Sequence, residues 1–200
     1  MTAVWGPMGW MTLHAVSACY PDSPTEQDKK ILSEFMEAFA GTITCMNCRN
    51  HFSAMFSTYR KNVPSWLNSK RDLFLAICRM HNEVNKRLDK PYPKTVQECI
   101  HSLKHATSYT SPSEFIVKYI SYLFRDWSVY GRGTAYQFIA FKYAEKMKKI
   151  YDEYISSKIV PYSSLQIEEA NVISYPNQPV DVKPLFPRIR IKNFKVSRPK

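Results

Sequence analysis

Two segments of the sequence carry apolar residues at the spacing of an α-helix, each behind a polar residue suited to cap its first turn. In residues 25–43, Thr25 precedes an apolar stripe made of Ile31, Leu32, Phe35, Met36 and Phe39. In residues 69–88, Ser69 is followed by Asp72 at the third helical position and by a stripe of Leu73, Ile77, Met80 and Val84. Both patterns predict amphipathic helices that bury one face.

The whole of residues 1–106 is typical of consecutive helices joined by short loops, the last of them at 95–106. Short loops place neighbouring helices antiparallel, so we predict an all-α bundle of four to five helices. The chain has only five glycines and no GxGxxG or GxxxxGK[ST] pattern, which argues against a nucleotide-binding α/β fold.

A second region, residues 107–200, is predicted to be a mostly helical extension with an extended basic tail. Ser113 is a candidate cap for a helix at 114–130, and a further helix is predicted at 134–158. Their aromatic residues recur every three or four positions, which indicates helix faces that pack in a core rather than platforms on which nucleic-acid bases stack. Beyond Ile159, prolines recur and only short strands are predicted, at 168–175 and 188–196.

The formal net charge is +11, and much of the excess lies in residues 183–200, which hold seven Lys or Arg and no acidic residue. Such a tail suits contact with nucleic acid or another anionic surface, or serves solubility alone. The N-terminus lacks the basic and apolar regions of a signal peptide, and no apolar run reaches the length of a membrane span. We therefore expect an unsecreted chain without a transmembrane segment.

Five cysteines occur, and two of them form the motif CMNCRNHF at residues 45–52. The motif leaves three interpretations open: a zinc site, a dithiol redox centre or a structural element. Covalent haem is excluded because Arg49 stands where CxxCH requires histidine. The spacing fits a zinc site poorly. Cys45, Cys48 and His51 could supply one cluster of ligands, but Cys78 and Cys99 are too far apart to form a second knuckle. Adding His81 as a ligand leaves the spacing poor. A zinc-stabilised helical module that binds nucleic acid is kept as the alternative function.

The redox interpretation fits a cysteine pair that opens a helix. The positive end of the helix dipole would stabilise a thiolate, and Arg49 and His51 would add local positive charge.

Two further blocks place polar and aromatic residues at helical spacing. Trp10, His14 and Tyr20 lie in the first, and His81, Asn82 and Asn85 lie in the second. Burying so many polar side chains in a small bundle is unfavourable unless a planar, polar partner pairs with them.

These blocks, in the order WxxxH with Tyr-Pro, CxxCxxHF and CxxHNxVNxxLxKP, resemble the Erv/ALR family of FAD-linked sulfhydryl oxidases. The resemblance spans residues 4–99. The WGP opening and the lack of a targeting sequence are most similar to the enzymes of giant DNA viruses, mimivirus among them.

The resemblance implies a helical bundle that holds FAD beside a catalytic pair, with Cys48 nearest the flavin ring and Cys45 exchanging with the substrate. It also implies a structural disulfide between Cys78 and Cys99. The implied cofactor-binding residues are Gly6, Trp10, His14, Tyr20 and His51 around the flavin, and His81, Asn82, Val84, Asn85 and Lys90 around the adenosine and phosphates. Cys19 is left unpaired.

The implied activity is the oxidation of protein thiols to disulfides, with electrons passing through FAD to oxygen to give hydrogen peroxide. The implied partners are protein thiol substrates or a thioredoxin-like carrier, together with a second copy of the chain as a homodimer. The implied location is the host cytoplasm, a virus factory or the virion.

Overall fold

The structure is a computed structural model that describes residues 2–129 and 135–173. In these residues the chain forms seven α-helices and no β-strand, which confirms the all-α class. The first five helices are α1 (Thr2–Ala18), α2 (Glu26–Thr42), α3 (Met46–Asn62), α4 (Lys70–Arg87) and α5 (Val96–Ala106). The last two are α6 (Pro112–Val129) and α7 (Ala135–Ile150).

Side-chain caps begin the helices where the sequence placed them, with one exception. Thr25 Oγ1 accepts from the Asp28 N–H at 3.2 Å, and Ser69 Oγ accepts from the Asp72 N–H at 3.1 Å, so both predicted caps are confirmed. The prediction of Ser113 is wrong: Ser111 Oγ accepts from the Glu114 N–H at 3.3 Å. The helix starts earlier because its first residue is a proline, which suits a position that needs no N–H partner.

The main core lies between α1 to α4 and the two later helices. α6 packs along α1, and α7 packs along α2. Buried residues from these two helices are Ile116, Tyr119, Ile120, Leu123, Trp127, Ala140, Ala144 and Met147. Much of each stripe is therefore a packing face inside the chain, as predicted, while Phe138 is exposed.

A smaller core forms where the segment after α7 crosses α4 and α5. Tyr162, Leu165, Ile167 and Val172 are buried there against both helices. The Val172 N–H donates to the Lys94 carbonyl at 3.0 Å, but a single bridge between Thr95 and Asn171 is the whole of the pairing in the described residues. Of the strand predicted at 168–175, the described residues 168–173 thus form one bridge, and residues 174–175 lie outside the described residues.

Short turns complete the described chain: a π-helical turn at Tyr151–Ile155 and 3₁₀ turns at Ser156–Lys158 and Tyr162–Ser164. None of the helices in residues 2–129 and 135–173 combines the length and apolarity needed to cross a bilayer. The strand predicted at 188–196 and the basic tail at 183–200 lie outside the described residues.

Candidate active site

The cysteine pair stands at the beginning of α3. Cys45 is the N-cap residue, in extended conformation, and Cys48 lies in the first turn, so the pair opens a helix as predicted. The two residues form a disulfide with their Cα atoms 5.2 Å apart, and the Cys48 N–H points to the Cys45 sulfur at 3.3 Å. Both cysteines are half-buried, while Met46 between them is 63% exposed. An incoming thiol can therefore reach the pair from solvent.

The two sulfurs have different surroundings. Cys48 packs against the main core, and Phe52, one helical turn later, is buried in it. The Phe52 ring lies 5.9 Å from the Trp10 ring. The inner face of the redox pair thus continues into the aromatic residues of α1.

Trp10, His14 and His81 form a compact cluster between α1 and α4. The rings of Trp10 and His81 are stacked, with centroids 4.4 Å apart and planes inclined by 7°. His14 Nε2 and His81 Nδ1 are in hydrogen-bond contact at 3.1 Å. Residues that are 67 positions apart in sequence are thereby brought together, as the two predicted blocks require.

Burial keeps both imidazoles neutral at ordinary pH. It holds the pKa of His14 well below its usual value of 6.5, and the neighbouring His81 lowers it further. The pKa of His81 is lowered to about 4, mainly by burial and also by the charge of Lys90. In a contact between two neutral imidazoles, one ring donates and the other accepts. Each ring keeps its second nitrogen, so the pair is suited to hydrogen bonding with a polar ligand.

The remaining predicted residues of α4 take different positions. Asn82 is buried, and its side-chain amide donates to the carbonyls of Pro93 and Val172 at 2.7 and 3.0 Å. Val84 packs partly buried against the main core. The Asn85 carbonyl accepts from the N–H of Lys90, an exposed residue, at 2.9 Å and so helps to end the helix.

The other three predicted residues, Tyr20, His51 and Gly6, differ in burial and in contacts. Tyr20 is fully buried and its hydroxyl donates to the Leu67 carbonyl at 2.9 Å. His51 is exposed on α3. Gly6 is half-buried, and a Cβ added to it would meet no heavy atom within 4 Å, so there is open space beside it.

Arg49, the residue after Cys48, bonds to partners outside the redox pair. Its guanidinium is buried and donates to the Ile43 carbonyl at 3.1 Å and to the Tyr136 hydroxyl. Burial lowers its pKa, although the Tyr136 contact opposes this. The guanidinium is therefore held by Tyr136 of α7, a partner that the sequence could not place.

The second cysteine pair is enclosed in the smaller core. Cys78 Sγ and Cys99 Sγ lie 2.9 Å apart, and both residues are buried. Their sulfurs and a ring nitrogen of His14 all lie within 4.8 Å of one another. Cys19 is half-buried, and burial raises the pKa of its thiol to about 11, which leaves it poorly nucleophilic.

Sequence reasoning missed the side chains that complete the site. Phe52 follows Cys48 by four residues and was recoverable from helical spacing. Trp5 is buried behind the cluster on α1, one turn before Gly9. Tyr136 has no local signal, because its role depends on how α7 packs.

Comparisons with known proteins match the first half of the chain. The Erv1 / Alr family matches residues 7–109. The mitochondrial FAD-linked sulfhydryl oxidase ERV1 of Saccharomyces cerevisiae is 36% identical over 86 residues, which are 43% of this chain and 43% of the relative. The FAD-linked sulfhydryl oxidase ERV1 of Arabidopsis thaliana is 34% identical over 85 residues, which are 42% of each chain.

A viral relative is covered more completely. The FAD-linked sulfhydryl oxidase of African swine fever virus, isolate Tick/Malawi/Lil 20-1/1983, is 36% identical over 86 residues, which are 43% of this chain and 69% of the relative. The match spans less than half of the yeast and Arabidopsis proteins. No solved structure matches the chain. Because the family match takes in more than half of its residues, this chain belongs to the Erv1/Alr family.

Proposed function

We propose that the protein is an FAD-dependent sulfhydryl oxidase that forms disulfides in protein substrates and passes the electrons through Cys45 and Cys48 to FAD and then to oxygen, giving hydrogen peroxide. One observation carries the proposal: a solvent-reachable disulfide at a helix N-terminus has its inner sulfur against a core that leads to Trp10 and the imidazoles of His14 and His81. The names of the relatives support the same activity.

The residues of the cluster fit a flavin. Trp10 and His81 offer flat rings, and Gly6 has open space beside it. Within the described residues, His14 Nδ1 and Trp5 Nε1 are buried without a hydrogen-bond partner. Buried polar atoms left unpaired are rare in folded proteins, and a bound polar ring system would satisfy them.

The residues proposed to hold FAD are those that the resemblance implies. Gly6, Trp10, His14, Tyr20 and His51 would surround the flavin, and His81, Asn82, Val84, Asn85 and Lys90 would hold the adenosine and phosphates. When bound, FAD supplies a two-electron acceptor that reacts with oxygen. The positive charge of Lys90 suits the phosphates.

The protein's own part of the reaction is thiol–disulfide exchange. A substrate thiolate attacks Cys45 Sγ, the Cys45–Cys48 bond breaks, and Cys48 leaves as a thiolate. A second substrate thiolate then attacks its partner sulfur and releases Cys45, so the substrate becomes a disulfide and the pair holds its two electrons. The N-terminus of α3 stabilises the Cys48 thiolate through the helix dipole.

The wider setting is proposed on the same basis. Residues 1–106 would form the oxidase domain, and residues 107–200 an extension built onto it. Protein thiols or a thioredoxin-like carrier would supply electrons, and the viral relatives support a virus-related location, such as the host cytoplasm, a virus factory or the virion. The homodimer is proposed from the resemblance, because most of the apolar face of α6 and α7 packs within one chain.

A structural zinc ion is the second candidate, and a different observation favours it. The ligand atoms of His14, Cys78 and Cys99 are all buried and lie close enough to bind one cation. A Cys78–Cys99 disulfide would use the same two sulfurs. The two occupancies exclude each other, and a zinc assay together with the mass of the alkylated protein distinguishes them.

An absorbance spectrum and oxygen uptake test the proposed function. We expect flavin bands from the purified protein, release of FAD on denaturation, and oxygen consumption when a dithiol is added. Cys48→Ser should reduce turnover at least ~100-fold because the Cys45–Cys48 disulfide, which takes up the two electrons of the substrate, can no longer form. Cys19→Ser is the matched control and should keep full turnover. A Cys48→Ser variant with wild-type turnover, or a colourless protein that takes up no FAD, would contradict the proposal.

A further inference from the structure

The chain immediately before the redox pair is held by the two helices that follow the family match. The segment Gly41–Thr44 joins α2 to Cys45. The Tyr136 hydroxyl donates to the Gly41 carbonyl at 2.9 Å, and Trp127 Nε1 donates to the Thr42 carbonyl at 3.1 Å. Carbonyls at a helix C-terminus lack partners in their own helix, so these two donors from α7 and α6 satisfy them.

Side chains of the same segment are held from the same side. Thr44 Oγ1 lies 3.3 Å from the Tyr122 hydroxyl, in hydrogen-bond contact. The rings of Trp127 and Tyr136 meet edge to face with centroids 5.6 Å apart. α6 and α7 therefore form one aromatic clamp on the approach to Cys45, defined here as Tyr122, Trp127 and Tyr136.

Tyr136 of the clamp also binds the guanidinium of Arg49. Arg49 follows Cys48 directly, and its guanidinium carbon lies 3.8 Å from the centre of the Tyr136 ring. Its Nη1 donates to the Tyr136 hydroxyl and to the Ile43 carbonyl. A cation–π contact with a hydrogen bond holds this charge on the side of α7.

The position of this charge bears on the chemistry of the sulfurs. A cation near a cysteine pair stabilises the thiolate, and stabilising the reduced form makes the disulfide easier to reduce. A guanidinium that is held by α7 contributes less of this effect than one that is free to turn toward Cys48.

We propose that the aromatic clamp of α6 and α7 positions the Cys45–Cys48 pair and sets how easily it is reduced, with Tyr136 as the positioning residue that restrains Arg49 and the Gly41 carbonyl. The proposal rests on the proposed function, in which this pair exchanges with substrate thiols. It assigns a role to residues that lie beyond the family match at 7–109.

Tyr136→Phe tests the proposal, because it removes the hydroxyl and keeps the ring. The full-length protein is equilibrated with mixtures of reduced and oxidised dithiothreitol, free thiols are alkylated, and the state of Cys45 and Cys48 is read by peptide mass spectrometry. In the exchange the dithiol is oxidised as the pair gains two electrons and two protons. We expect the equilibrium constant to move about fivefold toward the reduced pair in Tyr136→Phe.

Tyr154→Phe is the matched control. Its hydroxyl also bonds α2 from the C-terminal region, but at Asp28, which is about 20 Å along the helix from Gly41 at 1.5 Å per residue. Its equilibrium constant should stay within about twofold of the wild type. Equal constants in all three proteins would overturn the proposal, and so would equal shifts in both variants with equal losses of thermal stability.

A second variant and an activity assay complete the test. If Tyr136→Phe does not fold, Trp127→Phe removes the donor to the Thr42 carbonyl and is measured in the same way, and an unchanged constant there counts against the clamp. The equilibrium is measured without flavin turnover. A wild-type protein that lacks oxidase activity would therefore refute the proposed function while leaving the clamp test intact.

Discussion

At the scale of single residues, the contact between His14 and His81 is the feature that most affects behaviour in solution. His14 is removed from water, His81 is half-buried beside it, and His81 disfavours a charge on His14. A protonated imidazole in this place would be a buried cation beside a second donor. The folded chain therefore resists protonation of either ring.

The stability of the protein should depend on pH through this pair. Both pKa values are lowered in the folded chain, that of His81 from 6.5 to about 4, so the unfolded chain binds more protons between these limits. The stabilisation is fully present above pH 6.5 and is lost as the pH falls toward 4. For His81 alone the loss is of the order of 3 kcal/mol.

Urea unfolding at pH 7.5 and pH 5 measures this effect. His81→Gln should flatten the dependence of the unfolding free energy on pH. His101→Gln, at an exposed position on α5, is the control and should keep the wild-type slope. An unchanged slope in His81→Gln would show that other groups cause the acid sensitivity.

At Gly41, α2 packs so closely against Tyr143 of α7 that there is no room for a side chain. A Cβ added there would lie 2.6 Å from Tyr143 Cε2, closer than real side chains allow. Gly41→Ala should lower the unfolding free energy by about 1–3 kcal/mol through overpacking, despite the better helix propensity of alanine. Thermal unfolding measures the change.

Gly6→Ala provides the matched comparison. Its Cβ would meet open space within α1, so the apoprotein should gain up to ~1 kcal/mol from helix propensity. If Gly6 lines the flavin, the same variant should bind added FAD more weakly. A Gly41→Ala protein as stable as the wild type would contradict the close packing of α2 and α7.

At the scale of elements, the segment after α7 acts as a strap over α4 and α5. Lys86 Nζ donates to the Ile173 carbonyl at 2.9 Å, and Val172 is fully buried. The strap closes the smaller core that contains Cys78 and Cys99. It also uses the amide of Asn82, one residue after His81.

Asn82→Ala should loosen this strap. The substitution leaves the buried carbonyls of Pro93 and Val172 without their side-chain donor, which costs about 1–3 kcal/mol of unfolding free energy. Chemical denaturation measures the loss. Asn50→Ala, at an exposed site on α3, is the control and should change stability by less than ~0.5 kcal/mol. Equal stability of the two variants would show that the strap is held by its apolar side chains alone.

At the scale of the whole molecule, the excess positive charge has no role in the proposed oxidase reaction. Residues 183–200 carry seven of the 28 Lys and Arg of the chain. The basic side chains of α7 are paired instead with acidic neighbours, such as Lys142 with Glu145 and Lys146 with Glu34. The tail is therefore a better candidate for contact with an anionic partner than the basic residues of α7.

Replacing the seven Lys and Arg of residues 183–200 by Gln tests the tail. We expect the wild type to bind a double-stranded DNA oligonucleotide with an affinity that falls steeply with salt, and the variant to bind at least ~10-fold more weakly. Fluorescence anisotropy at two salt concentrations measures both. Oxygen uptake should be the same in the two proteins. Absence of binding by the wild type would leave the tail a role in solubility only.

Much of the architecture was predictable because it depends on neighbours in sequence. The caps at Thr25 and Ser69, and the start of a helix at Cys45, follow from side chains that bond N–H groups two or three residues away. His14 follows Trp10 by four residues, and Asn85 follows His81 by four, so these two pairs were recognisable from helical spacing. Only the identity of the partner block across the bundle required a known family pattern.

Local sequence therefore places most of the helices, the caps at Thr25 and Ser69, and the cysteine pair at the start of α3. The partners of Arg49, the helices that pack against the aromatic stripes, and the contact of Asn82 with the strap emerge only when the chain packs. These contacts join residues far apart in sequence: Tyr136 lies 87 residues from Arg49, and Val172 lies 90 residues from Asn82. A cap is satisfied within one helical turn, whereas a buried charge or amide takes whatever partner the packed core brings to it.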